Sequence, residues 1–492
     1  MSLLISFFEI FLALCGFIIL WRSLRGKKSK KRRLKNWPLV GMLPEIFLNI
    51  NHVHDGFTEL QARCGGTFLF KVPWFEMLTT TDPANIQHIM TTNFSNYPKG
   101  PEFKKIFDVV GNGFSNADDD LWRNHRRIAQ QLLTHNKFYK FLLSTTYDKV
   151  QNGLIPLLDH VSEQGLVVDL QDVFIRLTFD ATCILVTGHD PESLSVGFPE
   201  APFPRALIDA EEAIFYRHVM PEKTWKLMRF LGIGKEKQLA KAWEILDNLI
   251  CKCISMKRQE HNGEKNIDLL SSYMDQENTQ GWEIDDKLLR DTVLNLMIAG
   301  QDTTASALTW LFWLLSKNPS VEAKIREELQ TTEPESDIEK LNKLVYLHAA
   351  LCESLRLYPP VPFQLKTPIK TDILPSGDKV EPNTKIVLLT YSMGRMKRVW
   401  GKDCLEYKPE RWISENGRIK YEPSYKFFAF NAGPRTCLGK QVAFTQLKTT
   451  AAAIIRNFDV QVIEGHSVAP SASIILHMKH GLMVRVTKRG YC

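Results

Sequence analysis

The ten residues Phe430-Asn431-Ala432-Gly433-Pro434-Arg435-Thr436-Cys437-Leu438-Gly439 constrain this chain more than any other stretch of it. They fit the pattern F-x-x-G-x-R-x-C-x-G. At about 1 in 20 per ordinary residue and about 1 in 50 for Cys, a chance match in 492 residues is on the order of 1 in 10,000. A buried cysteine is by default an inert thiol. A cysteine that must stay deprotonated and ligate a metal needs hydrogen-bond donors aimed at its sulfur. Gly433 and Gly439 let the backbone turn tightly enough to supply them. A helix starting at about Leu438 would add its N-terminal dipole to hold the anion.

The rest of the chain says what kind of body carries this loop. Hydrophobic residues make up 44% and charged residues 24%, enough for a sizeable core. No internal linker or repeat is visible, so one large domain with a short appendage is expected. The net charge of +7 is misleading. Arg22, Arg25, Lys27, Lys28, Lys30, Lys31, Arg32, Arg33 and Lys35 form a run without an acid. Taking these nine from the 62 basic residues leaves 53 against 55 acidic ones, so the body is nearly neutral. A nucleic-acid surface needs positive charge spread over the fold, and that class is set aside. The nine scattered cysteines do not form a disulfide framework and point to a reducing compartment. Cys251 and Cys253 lack further metal-type neighbours and read as helix cysteines.

Leu3 to Trp21 is apolar except for Glu9. As a helix it would cover roughly 28 Å, enough for a bilayer core. The basic run follows it with no cleavage site between, which fits a retained anchor with the body on the cytosolic side. Residues 1–21 are therefore expected to be a transmembrane helix. Residues 22–44 are the basic tract and a Pro/Gly elbow ending at Pro44, and residues 45–492 are the working domain. That domain reads as mainly α with small β-sheets. Asp285 to Lys317 is the longest helical pattern, closed by Asn318-Pro319. Strands are expected at Thr67–Val72, Met77–Thr81, Lys385–Leu389 and Leu482–Thr487, giving a small sheet at each end of the sequence.

Through the cysteine loop the chain resembles the cytochrome P450 family. The resemblance implies that Cys437 ligates the iron of heme b (iron protoporphyrin IX), that Arg435 pairs with a heme propionate and that Phe430 covers the sulfur side of the ring. Further motifs follow in the expected order from Pro38 to Thr487. Ala299-Gly300-Gln301-Asp302-Thr303-Thr304 is a polar interruption in an apolar helix and is similar to the family's oxygen-binding kink. There Gly300 would let the helix approach the porphyrin, with Ala299 beside it. Thr303 would hold oxygen or a water by hydrogen bonding, and Asp302 would relay protons from solvent. Such a threonine can instead bond back to the carbonyl four residues earlier. Glu353-Ser354-Leu355-Arg356 and Arg411 would form a buried structural ion pair. Trp122 and Arg126, at i and i+4, would bind propionate. Where many members place Arg or His, this chain has Phe363, and Lys366 is the alternative cation.

The implied reaction is R–H + O₂ + 2e⁻ + 2H⁺ → R–OH + H₂O. No nucleotide, flavin or iron–sulfur motif supplies reductant, so a separate NADPH–cytochrome P450 reductase is implied, docking on a basic face with Lys440 and Arg127 as candidates. The implied setting is the endoplasmic reticulum membrane. Asn93 to Pro101 and Tyr425-Lys426-Phe427 carry a closer similarity to plant members that hydroxylate alkanes and fatty acids. The same scaffold suits oxidation or phenol coupling of a plant specialised metabolite such as an alkaloid. A heme-binding protein without turnover would need only Cys437 and the propionate contacts; the presence of Asp302 and Thr303 argues for an oxygen-activating enzyme. The pocket is expected from Phe103–Phe114, Leu207–Phe215, Leu296–Thr303, Val361–Leu365 and Ser473–Ile475.

Overall fold

The computed structural model describes residue 42 and residues 52–260, 267–280, 286–331 and 338–490. The expected anchor at residues 1–21 lies outside them, as does nearly all of the tract and elbow. Among the described residues no helix is long and apolar enough to cross a membrane.

Helices dominate. Those that frame the interior are α1 (Asp119–Leu133), α2 (Leu170–Thr187), α3 (Pro202–Val219), α4 (Gly234–Glu260), α5 (Asp286–Lys317), α6 (Val345–Leu357) and α7 (Lys440–Asn457). The 32 residues of α5 span about 48 Å. Apolar and small residues lie all around it, so it runs through the interior and not along the surface. It packs most extensively against α2, which Asp169 caps by accepting from the Gln171 N–H and which ends at Gly188 in the left-handed region (φ 75°).

Among the described residues nine short strands make three sheets. β1 (Thr67–Val72) and β2 (Phe75–Thr80) form a hairpin. β3 is Val167–Asp169, β4 Gln364–Lys366, β5 Asp372–Ile373, β6 Lys379–Val380, β7 Lys385–Leu388, β8 Phe458–Val462 and β9 Met483–Lys488. The sheets run β1-β2-β7-β4, β3-β9-β8 and β5-β6. All four expected strands are present within one or two residues. Their arrangement differs from the expectation of one sheet per chain end. β2 pairs in parallel with β7, Met77 opposite Lys385, so the N-terminal hairpin and the middle of the chain share one sheet. The second sheet likewise joins β3 to β9. Alternation along a strand shows which face is buried but not which distant strand lies alongside.

Two apolar cores meet along α5. Leu289, Val293, Leu294 and Met297 pack with α3 and α4. Ala305, Leu308, Trp310, Leu311 and Leu315 pack with α6 and α7. The polar stretch Gly300–Thr304 falls between the two. It remains α-helical throughout, so the interruption is one of chemistry and not of helix continuity.

Behind the cysteine loop, Glu353 and Arg356 are buried to 0% and 1% side-chain exposure. Arg356 donates to Glu353 at 2.7 Å (Nε) and 2.8 Å (Nη2). Arg411 donates to the same carboxylate at 3.3 Å and the Trp412 indole at 2.8 Å. The surface alternative for this motif is excluded by that burial.

Candidate active site

The loop before α7 is held by its own backbone. The Cys437 N–H donates to the Phe430 carbonyl at 2.8 Å and the Thr436 N–H to Gly433 at 3.0 Å. Arg126 donates to the Thr436 carbonyl at 2.8 Å, tying α1 to the loop. Helix α7 begins at Lys440, two residues beyond the expected Leu438. Cys437 faces a cavity of about 430 Å³. The sulfur lies deep in the protein, and burial pushes its thiol up. The Gly439 N–H, Arg126 and Lys440 pull the other way. Removing the last proton is thus left to a ligated metal.

The two glycines act differently from the expectation. Gly439 has an ordinary φ of −82°; its N–H reaches the sulfur, as expected, but it does so without left-handed backbone. Gly433 has φ +60°, and a Cβ there would lie 1.8 Å from the Met90 carbonyl oxygen. Its requirement is the close approach of a neighbouring segment, not donation to sulfur.

One edge of the cavity gathers positive charge. Trp122, Arg126, Arg435 and Lys99 line it. The Arg435 guanidinium lies 4.3 Å from the Trp122 ring centroid and donates at 2.8 Å to Asp118 and to the Ala117 carbonyl. Lys366 is buried beside this group at 1% exposure. Lys99, Lys366 and Arg435 therefore share Asp118, with Asp119 acting on Arg435 as well, and Arg126 adds a fourth cation. Lys366 Nζ and Arg435 Nε have no partner. Burial and mutual repulsion lower Lys99 far below the usual lysine range, Lys366 to about 7 and Arg435 to about 10. Such an edge is complete only with a dianion. The two propionates of a heme are that dianion, and a heme between this edge and Cys437 fits the residues present. Phe363, at the position where many members of the family carry Arg or His, lines the cavity with its ring; Lys99 and Lys366 bring the charge from elsewhere. Lys99 and Asp118 escaped sequence reasoning because nothing in their local context separates them from surface charges.

A dianion bound here raises the lysine pKa values, so binding takes up protons above about pH 7, where apo Lys366 is largely neutral. Heme affinity is therefore expected to fall as pH rises past 7. Lys366→Met should flatten that dependence, measured as the rate of heme transfer to an acceptor protein across pH. An unchanged slope would remove Lys366 from the heme-binding charge balance.

α5 presents Ala299, Gly300, Thr303 and Thr304 to the same cavity. A Cβ on Gly300 would lie 2.8 Å from Thr182 Cγ2, so the approach this glycine permits is to α2 as well as to the cavity. The Thr303 hydroxyl lines the cavity and donates to the Ala299 carbonyl at 2.7 Å, leaving its lone pairs as acceptors. Asp302 does not itself line the cavity. It is 0% exposed and turns away from the cavity, toward Glu211 of α3 and His477 of the segment before β9. The helical step of about 100° between neighbours places residues 302 and 303 on different faces. Phe430 packs beneath the loop on Phe444 and against the Lys440 ammonium. Each of the five expected pocket segments contributes to the wall, though Phe215 and Ser473 do not, and α2 adds Thr182, Leu185 and Val186.

Comparison with known proteins agrees with this arrangement. The cytochrome P450 family model matches residues 32–484. Alkane hydroxylase MAH1 of Arabidopsis thaliana is 47% identical over 98% of both chains. Noroxomaritidine synthase of Narcissus aff. pseudonarcissus MK-2014 is 45% identical over 98% of this chain and 96% of its own. Cytochrome P450 86B1 of Arabidopsis thaliana is 39% identical over 99% and 90%. A cysteine loop, a cationic edge and a polar helix turn around one apolar cavity, together with these whole-length matches, place the chain in the cytochrome P450 family as a heme-thiolate monooxygenase.

Proposed function

We propose that the protein hydroxylates long-chain aliphatic substrates, alkanes or fatty acids, using O₂ and electrons from NADPH through a membrane-bound reductase. The observation that carries this reading is the cavity wall away from the cationic edge. Phe103, Phe107, Phe114, Leu207, Ile214 and Ile475 make it largely apolar, which suits a hydrocarbon. The similarity to an alkane hydroxylase supports it. The cofactor is heme b. When bound it supplies the electron-rich iron that activates oxygen. Cys437 ligates it, Arg126, Arg435 and Trp122 hold its propionate edge, and the apolar wall orients the substrate and excludes water. Residues 1–21 anchor the chain in the endoplasmic reticulum membrane, residues 22–44 connect the anchor, and 45–492 form the cytosolic catalytic domain beside a store of lipid. The exposed Lys440 and Arg127 belong to the reductase-docking face.

A second reading is phenol coupling or oxidation of an alkaloid. It is favoured by one feature, the carboxyl group of Glu211 on the cavity wall, and by similarity to a noroxomaritidine synthase. Turnover with a reductase and a panel of alkanes, fatty acids and phenolic amines separates the two. Hydroxylated aliphatic products are the expected result. Coupled phenolic products with untouched alkanes would replace the first reading by the second.

A further inference from the structure

Three titratable side chains from distant parts of the sequence meet in the interior. Glu211, Asp302 and His477 are 1%, 0% and 4% exposed. One polar atom of each lies within 4.8 Å of the others. His477 Nε2 and Glu211 Oε2 are 3.1 Å apart. Asp302 Oδ1 accepts from the Gln301 side-chain amide at 3.1 Å. No other group donates to Glu211 Oε1 or Asp302 Oδ2, and the hydrogen bond between these two carboxyls needs a proton on one of them; His477 Nδ1 has no hydrogen-bond partner. Among the described residues no lysine or arginine balances the cluster; Asp302 feels both Glu211 and His477, while Glu211 and His477 each feel Asp302.

Its proton content follows from charge. An uncompensated buried ion is strongly unfavourable, so the cluster is held at zero net charge. Two arrangements achieve this. Both acids are protonated with a neutral imidazole, or one carboxylate faces an imidazolium while the other acid stays protonated. Each arrangement holds two protons. Burial raises Glu211 to about 8 and Asp302 well above its usual range, and lowers His477, which favours the first. The monooxygenase reaction consumes two protons per turnover.

The three do not face the cavity equally. Glu211 lines it, on the side where α5 presents Gly300 and Thr303, whereas Asp302 and His477 do not. We propose that Glu211 is the acid that gives protons to the cavity, and that Asp302 and His477 are positioning residues that keep it protonated, the three together forming a two-proton store. The inference rests on the monooxygenase reading. In delivery one O–H bond of Glu211 breaks and its proton passes to an acceptor in the cavity. The Asp302 proton then moves to Glu211, whose O–H bond breaks a second time to pass that proton to the cavity. No electron moves in either step, and solvent restores both protons before the next turnover.

The test uses the heme-loaded, full-length protein. Infrared spectra should show two buried carboxylic-acid C=O bands at neutral pH, one lost in Glu211→Gln and the other in Asp302→Asn. With reductase, Glu211→Gln should cut product formation about 100-fold, the low end of what a positioned acid contributes. Electron consumption should persist, ending in peroxide. Glu211→Asp should recover part of the coupling, and His477→Gln should move the pH profile of coupling without altering the thiolate spectrum. An ionised Glu211 in the infrared, or a Glu211→Gln variant that changes KM alone with full coupling, would overturn the proposal. Failure of the wild type to oxidise any member of the panel would instead strike the functional reading, since the infrared bands need no turnover.

Discussion

Cys437→Ala is expected to yield a folded protein with no oxygenase activity and no thiolate spectrum. The side chain faces the cavity and supports no core packing. Its backbone N–H still bonds to Phe430, so the loop survives. What disappears is the soft anionic ligand that makes iron electron-rich enough to cleave dioxygen. Lys99, Arg126 and Arg435 still offer the propionates a site, so heme is held more weakly but not abolished. The measurement is the reduced, CO-bound absorption spectrum beside a turnover assay. Retention of the long-wavelength thiolate band would mean that another residue ligates the iron and would end the assignment.

Glu353→Ala is expected to cost most of the protein its fold. One buried carboxylate accepts from both arginines, from the Trp412 indole and from the Lys408 N–H at 3.1 Å. Arg356 spends its remaining donors on the carbonyls of Gly394, Cys404 and Glu406. Removing the carboxylate strands the Arg356 cation inside the protein, while Arg411 keeps only Asp403, a loss of about 3–5 kcal/mol. The total stability of a domain is only about 5–15 kcal/mol. Soluble yield, heme content and the urea midpoint should all fall. Arg356→Lys should fare little better, because an ammonium cannot reproduce the planar fork that meets Glu353 and three carbonyls at once. A midpoint like that of the wild type in Glu353→Ala would deny the pair its structural role. Both predictions concern groups that touch no substrate, so they hold whichever carbon is oxidised.

These two effects were legible in the sequence because each motif is short. Cys437 lies within ten residues of every member of its loop, and Glu353 and Arg356 lie one helical turn apart. Covalent geometry and helix periodicity bring such residues together whatever the rest of the chain does. The length of α5 and the positions of the four expected strands were legible for the same reason. The sheet partners were not. Pairing β2 with β7 brings together residues about 300 positions apart, and the pattern within a strand carries no record of that choice.

The same division runs through the site. Sequence alone singled out Cys437 as the candidate heme ligand, the polar turn of α5 and the apolar character of the pocket segments, because those follow from local residue type and spacing. Tertiary structure alone decided that Lys99 and Lys366 join Arg435 around Asp118, and that Gly433 serves the Met90 carbonyl. It also decided that Asp302 turns from the cavity toward Glu211 and His477. A charged residue reads alike on a surface and in a core until packing removes the water around it. Only then does its partner, or its lack of one, set its protonation and its use.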